Sequence, residues 1–76
     1  MREQEINLQL GRRIRHRRRS LQITQAELGK RCGISFQQVQ KYECAANAPS
    51  AARLIMMAEA LDVPLTYFAD GLSDDR

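Results

Sequence analysis

The sequence predicts an all-α fold, a compact single domain of about five short helices. Leu, Ile, Ala and Met supply most of its apolar material, and they recur at three- and four-residue intervals. Gly and Pro stand singly, at Gly11, Gly29, Gly33, Pro49, Pro64 and Gly71, and so punctuate the chain into short segments. Two segments open with Thr or Ser followed three residues later by Glu or Gln, the pattern that satisfies unpaired N–H groups at a helix start. A chain of 76 residues buries only about 60 % of its unfolded surface, enough for one core.

The first helix is expected over about residues 6–20, where Ile6, Leu10 and Ile14 repeat every four residues and Leu21 closes the same face. The second starts at Thr24, where Thr24-Gln25-Ala26-Glu27 matches the capping box, and stops by Cys32 because Gly33 can take the left-handed conformation that ends a helix. Only Gly33 and Ile34 intervene before Ser35-Phe36-Gln37-Gln38 offers a second box, so the two helices must cross steeply. Gly29 fits that crossing, since a larger side chain would wedge them apart. The third helix runs to about residue 43, packing Val39 and Tyr42 on one face and leaving Phe36, Gln37, Gln40 and Lys41 on the others. Residues 44–49 read as a loop. Ser50 then caps a fourth helix, whose Leu54, Met57, Ala58 and Leu61 form a core stripe. Asp62-Val63-Pro64 breaks it, and residues 65–68 make a last short turn before an acidic tail at 70–76.

Charge is distributed unevenly. Residues 1–53 carry eleven Lys/Arg against four Asp/Glu, and residues 54–76 carry one against five, which is +7 followed by −4. A basic face for a polyanion, with the C-terminal end kept away from it, accounts for that asymmetry. Catalysis lacks parts: His16 is the single His and sits among arginines, and neither Cys32 nor Cys44 has a His or carboxylate at a meaningful spacing. The two cysteines, twelve positions apart, do not make a zinc-ligand pattern and read as free thiols, so neither a metal nor a cofactor is expected. No apolar run approaches the roughly 18 residues of a membrane span, and the N-terminus lacks a signal-peptide core. A cytoplasmic, nucleoid-associated location in a prokaryote or phage is the expectation, with no small-molecule effector.

Two short helices joined by a glycine turn form a helix-turn-helix, which lays its second helix in the DNA major groove. Here the chain resembles the phage repressor and Cro family, also called the XRE-type helix-turn-helix family, over about residues 10–72. The matching residues are Leu10-Gly11-Arg12-Arg13-Ile14-Arg15, Arg18, Thr24-Gln25, Leu28, Gly33-Ile34-Ser35, Val39, Tyr42-Glu43, Pro49-Ser50, Leu54, Ala58, Leu61 and Val63. The resemblance implies a five-helix repressor-like domain and a transcriptional regulator that acts as a repressor. It also implies a partly buried structural ion pair between Arg18 and Glu43. Two departures stand out. Ala45 occupies a position where the family usually has Gly, and either it takes a positive φ at a cost of about 1 kcal/mol or the loop turns differently. Arg17 falls on the apolar face of the first helix, where its stem can pack while the guanidinium reaches solvent or phosphate.

Base reading is assigned to Phe36, Gln37 and Lys41. A Gln side chain both donates to and accepts from one adenine edge, which makes Gln37 the expected reader of A·T pairs, and Phe36 can contact a thymine methyl or fold back onto neighbouring stems. Lys41 suits a guanine edge or a phosphate. The DNA backbone set is Arg12, Arg13, Arg15, Gln25, Ser35, Gln40 and Asn47, with two or three of Arg12, Arg13, Arg15 and Arg19 facing phosphate. The resemblance implies that Gln25 acts together with the helix N-terminal amides. A single module buries too little DNA surface for high specificity, so a homodimer on a two-fold site of double-stranded DNA is expected. Met56, Leu65, Phe68 and Leu72 are the dimer candidates, although Leu65 and Phe68 suit the monomer core equally. An adaptor that docks a protein chain through the same fold, without DNA, is the alternative.

Overall fold

A computed structural model describes residues 2–72. Among them the order is α1 (Arg2–Ser20), α2 (Gln25–Cys32), α3 (Phe36–Glu43), α4 (Ala51–Ala60) and α5 (Thr66–Ala69), with no strand. Residues 73–76 of the expected acidic tail lie outside the described residues. α2 packs chiefly against α3, and α1 holds α3 on one side and α5 on the other while α4 closes against α2. Their shared core is Ile14, Ile23, Leu28, Cys32, Val39, Tyr42, Met57, Ala58, Leu61 and Phe68.

α1 begins at Arg2, four residues before the sequence expectation. Its extra turn, Arg2-Glu3-Gln4-Glu5, holds no apolar residue that could extend the stripe, but Glu3 and Glu5 suit the positive end of the helix dipole. Gly11 does not divide the helix. It is buried against α3, and a Cβ there would sit 2.5 Å from the Tyr42 carbonyl oxygen and 2.7 Å from that of Glu43. The missing side chain is therefore what lets α1 lie against the end of α3. Gly29 plays the expected part between α2 and α3, since its Cβ would stand 2.5 Å from the Ile34 carbonyl oxygen.

Thr24 and Glu27 form the complete capping box at the head of α2. At α3 only half of the expected box exists: Ser35 Oγ accepts from the Gln38 N–H, and Gln38 does not reach back. Ser50 Oγ accepts from the Arg53 N–H at the head of α4.

The first four helices end alike. Just beyond each, one residue adopts positive φ: Gln22 (60°), Gly33 (72°), Ala45 (62°) and Asp62 (56°). The N–H of the next residue then reaches back into the helix, from Ile23 to the Arg18 carbonyl, Ile34 to Gly29, Ala46 to Lys41 and Val63 to Ala58. This is the Schellman arrangement, and Ile23, Ile34 and Val63 place an apolar side chain at its tail position. Ala45 thus keeps the left-handed turn; the loop has not found another.

Candidate nucleic-acid interface

Arg18, Glu43 and Gln25 come together where α1, α2 and α3 meet. Arg18 Nε donates to Glu43 Oε2 at 2.6 Å and Nη2 to Oε1 at 3.0 Å, a bidentate pair, while Nη1 donates to the Ile23 carbonyl at 2.9 Å. The two side chains are only 10 % and 4 % exposed. Glu43, as hydrogen-bond partner, holds the Arg18 guanidinium protonated even more firmly than usual. Removing one member strands a buried charge and costs about 3–5 kcal/mol. Gln25 Nε2 donates to the same Glu43 Oε1 at 3.1 Å, a link that local sequence patterns do not reveal because 18 residues separate the partners.

Above this junction lies an open cleft of about 510 Å³ lined by Arg15, Arg18, Arg19, Thr24, Gln25, Gln40, Glu43 and Cys44. Three expected backbone residues, Arg15, Gln25 and Gln40, therefore share one concavity, joined by Arg19 and Cys44. Cys44, the first residue of the expected loop, lies just past the end of α3. Its spacing of seven from Gln37 and four from Gln40 continues the outer face of α3 and was the available signal. Its thiol donates weakly to the Lys41 carbonyl at 3.7 Å.

Along α3 the hidden side is Val39, Tyr42 and Glu43, and Phe36, Gln37, Gln40 and Lys41 are exposed on the other. Phe36 is 50 % exposed, so it does not fold away. Ser35 spends its hydroxyl on the α3 cap, and Asn47 is exposed in the loop outside the cleft.

The arginines of α1 divide by angle. Residues two apart on a helix point about 200° apart, so Arg13 and Arg15 face opposite ways. Arg15 and Arg19 line the cleft, and Arg12, exposed, continues their strip. Arg13 departs from the expectation for it: Nη1 donates to the Tyr67 carbonyl at 3.1 Å, which ties it to α5. Arg17 is also engaged within the fold. Its Nε and Nη2 donate to the Leu61 and Asp62 carbonyls at 2.9 and 3.4 Å, capping the end of α4. Arg31 supports the same helix end, through the Ala60 carbonyl at 3.1 Å.

Phe68 is not on the surface. It is fully buried, edge-on to Tyr67 with ring centroids 5.3 Å apart, so it closes the core instead of meeting a partner. Met56 and Leu65 are 43 % and 44 % exposed, Leu72 is half-buried, and Ile55, not anticipated from the stripe of α4, is 46 % exposed. Among the described residues no helix is long and apolar enough to cross a membrane, and no group of three His, Cys, Asp or Glu is placed to hold a metal.

Comparison with known proteins gives this geometry its context. An uncharacterized HTH-type transcriptional regulator of Sinorhizobium fredii is 46 % identical over 92 % of this chain and 49 % of its own length. A transcriptional regulator in the ATPase CF(0) region of Rhodospirillum rubrum is 46 % identical over 88 % of this chain and 62 % of its own length. The chain thus spans only about half to three fifths of these curated relatives. Among solved structures, the P22 c2 repressor in complex with a synthetic operator superposes with a TM-score of 0.76 at 35 % identity, covering 82 % of this chain and 94 % of that one. The restriction-modification controller C.AhdI of Aeromonas hydrophila, at 23 % identity and a TM-score of 0.78, shares the fold over 80 % of this chain and 92 % of its own. The helix-turn-helix family model matches residues 14–68. On that match and these identities, the chain belongs to the XRE-type helix-turn-helix family, a family of DNA-binding transcriptional regulators and not of enzymes.

Proposed function

We propose that this chain binds double-stranded DNA sequence-specifically as a repressor, with the exposed face of α3 in the major groove and the cleft beside it on a phosphate run. One observation carries the reading: Phe36, Gln37, Gln40 and Lys41 stand exposed along one side of α3, next to a concavity lined by Arg15, Arg19 and Gln25. Gln37 reads an adenine edge, Phe36 contacts a thymine methyl, and Lys41 takes a guanine edge or a phosphate. Arg12, Arg15, Arg19, Gln25 and Gln40 neutralise or bind the backbone, with the amides around Ser35 and Ser50 and the Asn47 side chain as further anchors. That the P22 c2 repressor was solved with an operator supports DNA as the partner.

The protein acts as a homodimer on a two-fold site. Ile55 and Met56 on α4, with Leu65 at the head of α5, offer apolar surface that a monomer leaves wet, and Leu72 stands half-buried beyond α5.

Selection of bound sequences from a random duplex pool tests this directly. A two-fold-symmetric site is expected, and Gln37→Ala should lose about 1–3 kcal/mol at one position per half-site. Equal loss at every position means that Gln37 touches only the backbone. Affinity for random duplex that ignores salt would point to the protein-binding adaptor instead.

A further inference from the structure

We propose that Glu43, beyond pairing with Arg18, is a positioning residue for DNA: it holds the Gln25 carboxamide nitrogen inward, so that the second Nε2 hydrogen is already aimed when a phosphate arrives. The proposal rests on the reading of Gln25 as a backbone contact. Three observations carry it. The Glu43 carboxylate is fixed by two hydrogen bonds from Arg18 and is almost wholly buried, so it is an immobile acceptor. Gln25 Nε2 lies 3.1 Å from Oε1 of that carboxylate. Gln25 is the first residue of α2 and lines the cleft with Arg15, Arg19 and Gln40.

The chemistry of the acceptor decides the orientation. A carboxylate only accepts, so it takes the NH2 end of a carboxamide and repels the oxygen end. A free Gln swaps its two ends and samples three side-chain torsions, whereas Gln25 is held to one. An amide nitrogen has two hydrogens, and only one is used by Glu43. The other remains for an anion in the cleft, which Arg15 and Arg19 line along with the paired Arg18. Thr24 Oγ1, the neighbouring hydroxyl, accepts from the Glu27 N–H at the head of α2. Ordering a flexible side chain before binding, and not during it, is worth about 2- to 12-fold in affinity.

The test is a double-mutant cycle on the full chain, read as the Kd for a random-sequence 20-base-pair duplex at fixed salt, since a phosphate contact needs no particular sequence. Arg18→Met with Glu43→Met replaces the buried pair by apolar groups of similar volume without altering net charge, a swap that folds often tolerate. Gln25→Met removes the amide at constant length. With Gln25 present, the paired change should weaken binding by about 2- to 12-fold; in the Gln25→Met background it should have no further effect. The same loss in both backgrounds overturns the positioning role and leaves Glu43 a structural residue. Gln25→Met with unchanged affinity overturns the backbone contact itself, and the proposal with it. Should the paired variant not fold, side-chain amide relaxation in the unaltered protein decides. The Gln25 NH2 should be as ordered as the backbone while those of Gln37 and Gln40 are mobile, and equal mobility of all three overturns the idea.

Discussion

A single backbone angle at Ala45 has measurable consequences. Its φ of 62° places a Cβ where L-residues are disfavoured by about 1–2 kcal/mol, a strain that glycine does not feel. Ala45→Gly should therefore stabilise the fold by about 1 kcal/mol, raising the thermal midpoint by about 4–8 °C in a domain of this size; an unchanged or lower midpoint would show that the flexibility added to the unfolded chain outweighs the relief. The family resemblance exposed Ala45 as unusual but could not say whether the turn or the residue had yielded. Other single residues were hidden from sequence for a different reason. Arg13 and Arg17 bond carbonyls 54 and 44 residues away, so nothing near them in the chain marks them as anything but cationic. The two thiols also part company: burial pushes Cys32 up from its ordinary pKa, and Cys44 is exposed in the cleft. A maleimide should label Cys44 within the folded protein and Cys32 only on unfolding, followed by mass spectrometry.

At the scale of the helix, capped beginnings proved more legible than the uncapped one. α2, α3 and α4 each open on a Ser or Thr that accepts from the backbone N–H three residues on, and such local chemistry is written in adjacent letters. α1 starts at Arg2, four residues before Ile6, where its apolar stripe begins and periodicity places the start. The capping box of α2 also gives the helix a dependence on acid. The Thr24 N–H, and then its side chain, hold the Glu27 carboxyl below the usual glutamate range. On acidification the unfolded chain takes up that proton first, so the contribution is full above about pH 4.3 and fades as pH falls through the lowered folded value. Comparing thermal midpoints of the parent and Glu27→Gln should show a constant gap near neutrality that narrows below that point. A gap that widens in acid would contradict the assignment.

Across the whole molecule, Arg13 and Arg17 are tied to carbonyls of the fold, while Arg15 and Arg19 line the cleft proposed for DNA. Arg15→Ala or Arg19→Ala should each flatten the dependence of log affinity on log salt by about 1, weakening all sequences alike. Arg13→Ala should leave that slope intact and lower the thermal midpoint, because its loss frees the α5 contact and not a phosphate. A reduced slope for Arg13→Ala would return it to the interface. The overall path of the chain and its core stripe were readable from periodicity, since Ile14, Val39, Met57 and Leu61 are all fully buried. The cleft was not, because it is made where three helices converge from distant parts of the chain. The close seat of Gly11 against the Tyr42 and Glu43 carbonyls grips α3 at its rear, and Ser35 trims its front with a single bond. The stretch between projects like a key blade from a fixed bow. Its teeth at positions 36, 37, 40 and 41 are exposed and can be recut without loosening the grip, so on the proposed reading changing these four side chains should alter DNA preference while the scaffold behind them stays as it is.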